Sequence, residues 1–344
     1  MEWLIRAGGD ATNVTNYDCR GMQGKPGNKD IVIGVCFIMY GIAAELIYLV
    51  VLKVMVRKEH RRLSCYKIMI ALGLYDMFAI ALNSLLTGYF WIVGANYCMM
   101  PTLMFVTGAI ALETFAGLWC GACMNCFMLV INRLLDLWNK DIMQMLFKGD
   151  RTYIALLLPT TYSLYFMFFT PPLLFNSDHT AWFFSSFVVN HDGDMFFNYP
   201  HTANNLLIVV ITCLLYVQYA RVLLRYHKSG TGGLTWGQKS VCFPFISRGF
   251  KIGESQFFMQ SSSICMANLV AALIYVYMQF FATPSYFVLV GHICWQLGHG
   301  FPAFVYLFLN KTIQKEALLL LGIRRKSPVR SVSVVPSKTM QTEY

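Results

Sequence analysis

Charge is scarce in this sequence. Only 13% of its 344 residues are Asp, Glu, Lys or Arg, where a soluble domain carries about 25%. Apolar residues make up 57%, and mean hydropathy is +0.52. That balance excludes a soluble two-domain enzyme, a disordered chain and a secreted disulfide scaffold. Histidine is sparse too, with seven in the whole chain. His292 and His299 stand seven apart, while His179, His191 and His201 fall in one loop without neighbouring ligands at metal spacing. This argues against the zinc or His-box chemistry of multi-span enzymes. No internal repeat is evident, which weakens an inverted-repeat transporter reading. An apolar h-region is missing from Met1–Arg6, so the first span is expected to act as a signal-anchor.

What is abundant is apolar length. A membrane-spanning helix needs about 20 mostly apolar residues, and seven stretches qualify: 31–56, 67–90, 101–131, 153–169, 205–226, 257–281 and 286–309. The fold expected is an all-α membrane protein, a seven-transmembrane helix bundle over 31–309, with an N-terminal segment 1–30 and a tail 310–344. Sidedness follows from the Lys and Arg bias of the short connections. Arg57, Lys58, Arg61 and Arg62 follow the first span; Arg133, Lys140, Lys148 and Arg151 follow the third; six more follow the fifth and seven follow Leu309. The opposite loops, Gly88–Tyr97, Thr170–Asn204 and Ala282–Ser285, hold no Lys or Arg. The N-terminus is therefore expected outside and the C-terminus in the cytosol. The net charge of +10 is a topology signal, and no nucleic-acid partner is expected.

Most of the eleven cysteines lie inside spans, where thiols serve as small apolar fillers. Cys120, Cys123 and Cys126 resemble a metal comb, but spacing of three on a membrane helix reads as packing; no metal and no cofactor are expected. Cys19 and Cys98 alone face the oxidising side, which makes them the expected disulfide pair. Asn13-Val14-Thr15 is a glycosylation sequon on the exported segment. Asn310-Lys311-Thr312 matches the same pattern on the cytosolic side and is expected to stay unmodified.

Several fragments in fixed order carry a family resemblance. They run from Ser64-Cys65-Tyr66-Lys67-Ile68-Met69, Leu74-Tyr75-Asp76-Met77 and Thr87-Gly88-Tyr89 to Tyr97-Cys98 with Pro101 and Leu118-Trp119-Cys120 leading to Asn132-Arg133. His201 with Asn204-Asn205, Tyr275-Val276-Tyr277-Met278-Gln279-Phe280, Trp295-Gln296, His299-Gly300-Phe301-Pro302 and Asn310-Lys311-Thr312-Ile313 complete the set. The chain resembles the nematode serpentine chemoreceptors of class T. The resemblance implies a G-protein-coupled-receptor-like protein of the plasma membrane, in chemosensory neurons, with a heterotrimeric G protein as partner and no enzymatic activity. Its ligand is not implied. The competing assignment is a seven-helix integral-membrane enzyme or a transporter. Val241–Gly253 departs from the family pattern as a long, half-apolar third inner loop, either a true insertion or retained non-coding sequence.

Ionisable groups inside a span are functional candidates by default. Glu45 lies about 21 Å into the first span at 1.5 Å per residue. Asp76 and His299 lie at similar depth in theirs. The three are expected to form one buried polar knot, either a switch or a register lock. Asn132-Arg133 resembles the arginine with which class A receptors engage a G protein, but Asn stands where the acid would be; snorkelling at the cytosolic rim is the alternative. Pro302 and Tyr306 resemble the proline–tyrosine pair of a receptor's seventh helix, with one residue more between them. Residues 311–325 read as a short amphipathic helix on the inner leaflet, followed by Ser and Thr positions suited to phosphorylation and arrestin.

Towards the outer side, Glu113, His292 and Trp182 are the candidate ligand-pocket residues. The second outer loop holds eight aromatics, and Asp192-Gly193 between Phe187-Val188-Val189 and Met195-Phe196-Phe197 signals a β-hairpin. A lid of that kind over an apolar pocket suits a small apolar molecule better than a peptide.

Overall fold

The computed structural model describes residues 1–15, 17–19, 24–113, 118–187, 196, 198–230, 252–281 and 283–323. The first long helix, α1, spans Ile31–Met55, and the Asp30 carboxylate opens it by accepting from the Ile33 amide at 2.9 Å. Gly34, Phe37, Gly41, Ala44, Tyr48 and Val51 form its buried stripe, at helical spacing. Ile31, Val32, Val35, Met39, Ile42, Leu46 and Leu49 are exposed on the other side. A face of that composition is stable only against hydrocarbon, which makes α1 a membrane helix.

The second span starts three residues earlier than the sequence suggests. It comprises α2 (Ser64–Ile80), one wider π-type turn (Ala81–Leu86) and α3 (Thr87–Val93). The wider turn leaves a carbonyl without its usual amide, and the Thr87 hydroxyl donates to the Leu82 oxygen at 2.8 Å. α1 and α3 touch backbone to backbone here. A Cβ on Gly34 would sit 2.6 Å from the Gly88 carbonyl oxygen, and a Cβ on Gly88 would sit 2.6 Å from that of Gly34. Small residues at both positions are what allow the approach.

The third span is built from α4 (Pro101–Glu113) and α5 (Leu118–Trp138), and it extends seven residues past the expected end, beyond Arg133. α6 (Lys140–Phe147) lies across the end of the bundle, and α7 (Arg151–Phe169) follows. β1 (Leu174–Asn176) and β2 (Ala181–Phe183) pair antiparallel, Phe175 opposite Trp182. α8 (Tyr199–Gly230), α9 (Ile252–Phe280) and α10 (Ser285–Leu309) complete the seven, and α11 (Lys311–Leu320) turns away from α10. Six of these helical units are long and apolar enough to cross a bilayer. α10, the seventh span at 25 residues, carries His292, Gln296, His299 and three glycines along its length. The architecture is a seven-transmembrane bundle.

Two buried layers fill it. At the hairpin end, Tyr17, Phe90, Trp91, Tyr97, Phe105, Phe175 and Trp182 form an aromatic mass. At the other end, Tyr48, Met55, Tyr66, Leu129, Tyr306 and Ile313 pack together. The expected hairpin around Asp192-Gly193 lies outside the described residues, as do Val241–Gly253 up to residue 251 and the tail from 324. The hairpin that is described turns earlier, where the Asn176 side chain accepts from the amides of Asp178 and His179 at 2.9 and 3.4 Å. The amphipathic helix expected over 311–325 is described to Leu320. Its Ile313 and Ala317 face the protein rather than the leaflet, both fully buried.

Candidate functional site

The polar centre of the bundle is assembled by three helices. Asp76 from α2 and His299 from α10 meet with Oδ1 and Nδ1 2.7 Å apart, both side chains 2% exposed. Tyr48 of α1 closes the group: its hydroxyl lies 2.8 Å from Asp76 Oδ2 and 2.9 Å from the His299 carbonyl oxygen. Glu45 is not part of it. It sits three residues before Tyr48, rotated about 60° toward the lipid face, half-buried and with no hydrogen bond or ion pair among the described residues. The sequence expectation is thus corrected in one member: a tyrosine takes the place assigned to the acid.

A second polar contact lies nearer the hairpin. The Gln296 amide donates to Ser84 Oγ at 2.5 Å, and Ser84 donates to the Phe37 carbonyl at 2.6 Å. This ties α10, the wide turn and α1 together. Gly300 of α10 lets the Tyr40 ring lie on the backbone; a Cβ there would stand 1.9 Å from the Tyr40 hydroxyl oxygen.

Above this centre is a cavity of about 180 Å³, enclosed by Trp119 and Trp295, by Ala181, Trp182, Phe183 and Phe184 of the hairpin segment, and by His201, Asn205, Tyr275, Met278 and Val288. Among the described residues, no Asp, Glu, Lys or Arg lines it. Its tryptophans are fixed by hydrogen bonds: Trp119 Nε1 donates to Asn205 Oδ1 at 2.9 Å, and Trp182 Nε1 to Thr87 Oγ1 at 3.0 Å. Tyr162 holds the neighbouring Asn204 by donating to its Oδ1 at 2.9 Å. The cavity and the polar centre share a wall. Trp119 and Trp295 both stand edge-on to the His299 ring, with centroids 5.9 and 6.3 Å away.

Of the three residues expected in the pocket, Trp182 lines it. His292 is buried outside the lining, packed against Phe37, Phe175 and Trp295. Glu113 ends α4, and its side chain is not among those described. Sequence reasoning gave no role to Tyr48, Trp119, Trp295, His201 or Asn205. The signal was the i,i+4 spacing of Trp295 and His299, which places both on one helix face.

At the opposite end, Asn132 Nδ2 donates to Ser64 Oγ at 2.9 Å. The Arg133 guanidinium lies 3.6 Å from Asp136, one turn on, so an acid does flank the arginine but follows it. Pro302 sits inside α10, and Tyr306 one turn later is fully buried. Cys19 and Cys98 are joined in a disulfide, with Cys98 in a single turn (Tyr97–Met99) before α4. This bond holds the N-terminal segment on the bundle, where the Tyr97 hydroxyl donates to the Ala11 carbonyl at 3.1 Å. Burial pushes the Tyr97 phenol above its ordinary value, with the charges of Asp10 and Asp18 adding to the effect. Asn13 and Thr15 of the sequon are exposed. Asn310 of the other sequon is buried and caps α11, accepting from the amides of Thr312 and Ile313. A second disulfide, Cys126–Cys265, joins α5 to α9. These two cysteines depart from the filler role; Cys120 and Cys123 are buried in the aromatic layer at the hairpin end.

Comparison with known proteins adds two findings. A family model described as serpentine type 7TM GPCR chemoreceptor Srt matches residues 9–329. Serpentine receptor class T-55 of Caenorhabditis elegans is 26% identical over 334 residues, covering 95% of this chain and 86% of that relative.

Proposed function

The chain belongs to the Srt family of serpentine seven-transmembrane chemoreceptors, and from that premise we propose that it detects a small, uncharged, largely apolar molecule in the cavity beneath the hairpin. The observation that carries this reading is the shared wall: Trp119 and Trp295 face the cavity on one side and the His299 ring on the other. A ligand that displaces either indole moves a neighbour of the His299–Asp76–Tyr48 group, and so biases how α1, α2 and α10 are held. A ligand acts on such an equilibrium only through its different affinity for the two arrangements. A lining that is aromatic and uncharged among its described residues favours apolar bodies and offers stacking faces.

In this reading the end with α6 and α11 is cytosolic and meets a heterotrimeric G protein. Asn132 and Arg133 lie in the last two turns of α5 there, and Pro302 and Tyr306 lie between that surface and the polar centre. Arrestin binding belongs to the phosphorylatable tail. The N-terminal segment with Asn13 is outside, and the receptor sits in the plasma membrane of chemosensory neurons. The basic loops of one face support this sidedness.

The test is a panel of neutral and charged small molecules on cells expressing the receptor with a promiscuous G protein and a second-messenger readout. Ala181→Phe, which fills the cavity from the hairpin, is expected to abolish the response at unchanged surface level. Arg133→Ala is expected to abolish signalling and leave ligand binding. A response that survives the filled cavity, or one restricted to charged ligands, overturns the proposal.

A further inference from the structure

We propose that the junction of α1 with α11 is a binding site for the headgroup of a polyanionic membrane lipid of the phosphoinositide type. The site is a cavity of about 540 Å³ at the end of the bundle opposite the hairpin, lined by Arg57, Lys311, Thr312, Lys315, Glu316 and Leu319. It is built from chain segments some 250 residues apart, because Ile313 and Ala317 bury α11 against the inner core.

The charge arrangement selects the occupant. Glu316 is the one acid among the described lining residues, and it is already engaged: Arg57 Nη1 lies 2.6 Å from one carboxylate oxygen and His60 Nε2 2.9 Å from the other. Lys311 and Lys315 are exposed, four residues apart on one helix face, and neither has an ion-pair partner among the described residues. Arg57 keeps donors beyond the one turned to Glu316. Two unpaired lysines and the remaining donors of Arg57 therefore converge on a concave space whose acid, among the described residues, is already engaged. Arginine matches phosphate by paired hydrogen bonds, and lysine adds point charge.

The surroundings make the occupant amphiphilic. Arg57 follows the end of α1 by two residues, and the hydrocarbon-facing side of the chain leading to it carries exposed Leu49 and Val56. Leu319 forms part of the wall, and Leu321 and Ile323 beyond it are 55% and 71% exposed. A headgroup in the cavity thus has an apolar surface beside it for its acyl chains. Anionic lipids of the cytosolic leaflet meet basic segments at this depth. The proposal rests on the sidedness given above, but binding in a nanodisc, with lipid in both leaflets, does not.

The test uses the full-length receptor in phosphatidylcholine nanodiscs doped with fluorescent phosphatidylinositol bisphosphate, read by energy transfer. Lys311→Gln with Lys315→Gln is expected to weaken binding about tenfold, the loss of two charge-assisted contacts, at unchanged melting temperature. Lys140→Gln with Lys148→Gln removes equal charge from exposed positions of the same face and is expected to change it less than about twofold. Lys315→Glu alone, a second route if the double variant is unstable, is expected to lose more than Lys315→Gln. Equal losses in the two double variants would mean diffuse surface attraction and overturn the site. Phosphatidylserine binding as tightly overturns the polyanionic headgroup, and soluble inositol trisphosphate competing as well as the intact lipid overturns the lipid.

Discussion

Asp76→Asn and Asp76→Ala are expected to part company sharply. Asp76 lies within hydrogen-bond reach of two groups, His299 Nδ1 at 2.7 Å and the Tyr48 hydroxyl at 2.8 Å, in a place with almost no solvent. Alanine removes both bonds. Tyr48 can still donate to the His299 carbonyl at 2.9 Å, but the imidazole is left buried without its partner. An orphaned buried donor costs about 1–3 kcal/mol, and the space left by the carboxylate adds about 1 kcal/mol. Asparagine keeps the shape: its oxygen accepts from His299, and its amide donates to the Tyr48 oxygen, whose proton goes to the carbonyl. The expected loss is about 2–4 kcal/mol for alanine and under about 1 kcal/mol for asparagine. Thermal unfolding of the purified receptor in one detergent, followed by helical circular dichroism, gives the ranking. A cycle with His299→Ala then tests the pairing, because the double variant no longer contains an orphan; a coupling energy of about 1–3 kcal/mol is expected. Equal losses for the two Asp76 variants, or strictly additive losses in the cycle, would refute the contact. Asp76→Asn with native stability and no response would mark the group as the switch.

Three further outcomes are expected. Gly300→Ala pushes a methyl group into the Tyr40 hydroxyl and should cost about 1–3 kcal/mol; with Tyr40→Ala added the losses should not sum, as seen in the same melting assay. Cys98→Ser opens a bridge that spans 79 residues and should lower stability by about 2–5 kcal/mol, with the unpaired Cys19 becoming open to maleimide once the N-terminal segment lifts. Asn13→Gln should abolish a glycosidase-sensitive shift on gels of receptor from eukaryotic cells, whereas Asn310→Gln should change stability but not mobility.

The spans were legible because hydrocarbon imposes length and apolarity on every helix, and those are properties of composition alone. Their ends were less so. Lys67 looked like a boundary, yet α2 starts at Ser64, since the ammonium group reaches the Gly149 carbonyl at 2.7 Å and lies over the Tyr153 ring at 4.3 Å. The wide turn at Ala81–Leu86 has no residue signature beyond Thr87, whose hydroxyl takes up the Leu82 carbonyl five residues before it in the same span. In the polar centre, charge drew attention to Glu45 and away from Tyr48, whose hydroxyl is silent in a hydropathy profile. Asp192-Gly193 outweighed Asn176 as a turn signal, although an Asn side chain that accepts from two amides makes a turn without glycine. The acid beside Arg133 was sought one position before it and stands three after. For Lys67 and Tyr48 the missing information is a partner distant in sequence; for Thr87, Asn176 and Arg133 the partner is within five residues and it is the local backbone geometry that composition does not reveal.

Under the proposed function, a cavity wall without charge among its described residues also decides what kind of discrimination this receptor can make. With no ion pair to form or forfeit, ligands compete through fit, and one methylene in an apolar pocket is worth about 1–3 kcal/mol. Dose–response curves should then be nearly indifferent to ionic strength, and homologous series should show a steep optimum in chain length rather than a preference for one functional group. With about 180 Å³ to fill, the optimum is reached early, and tuning falls to the two tryptophans that the Asn205 and Thr87 hydrogen bonds hold still.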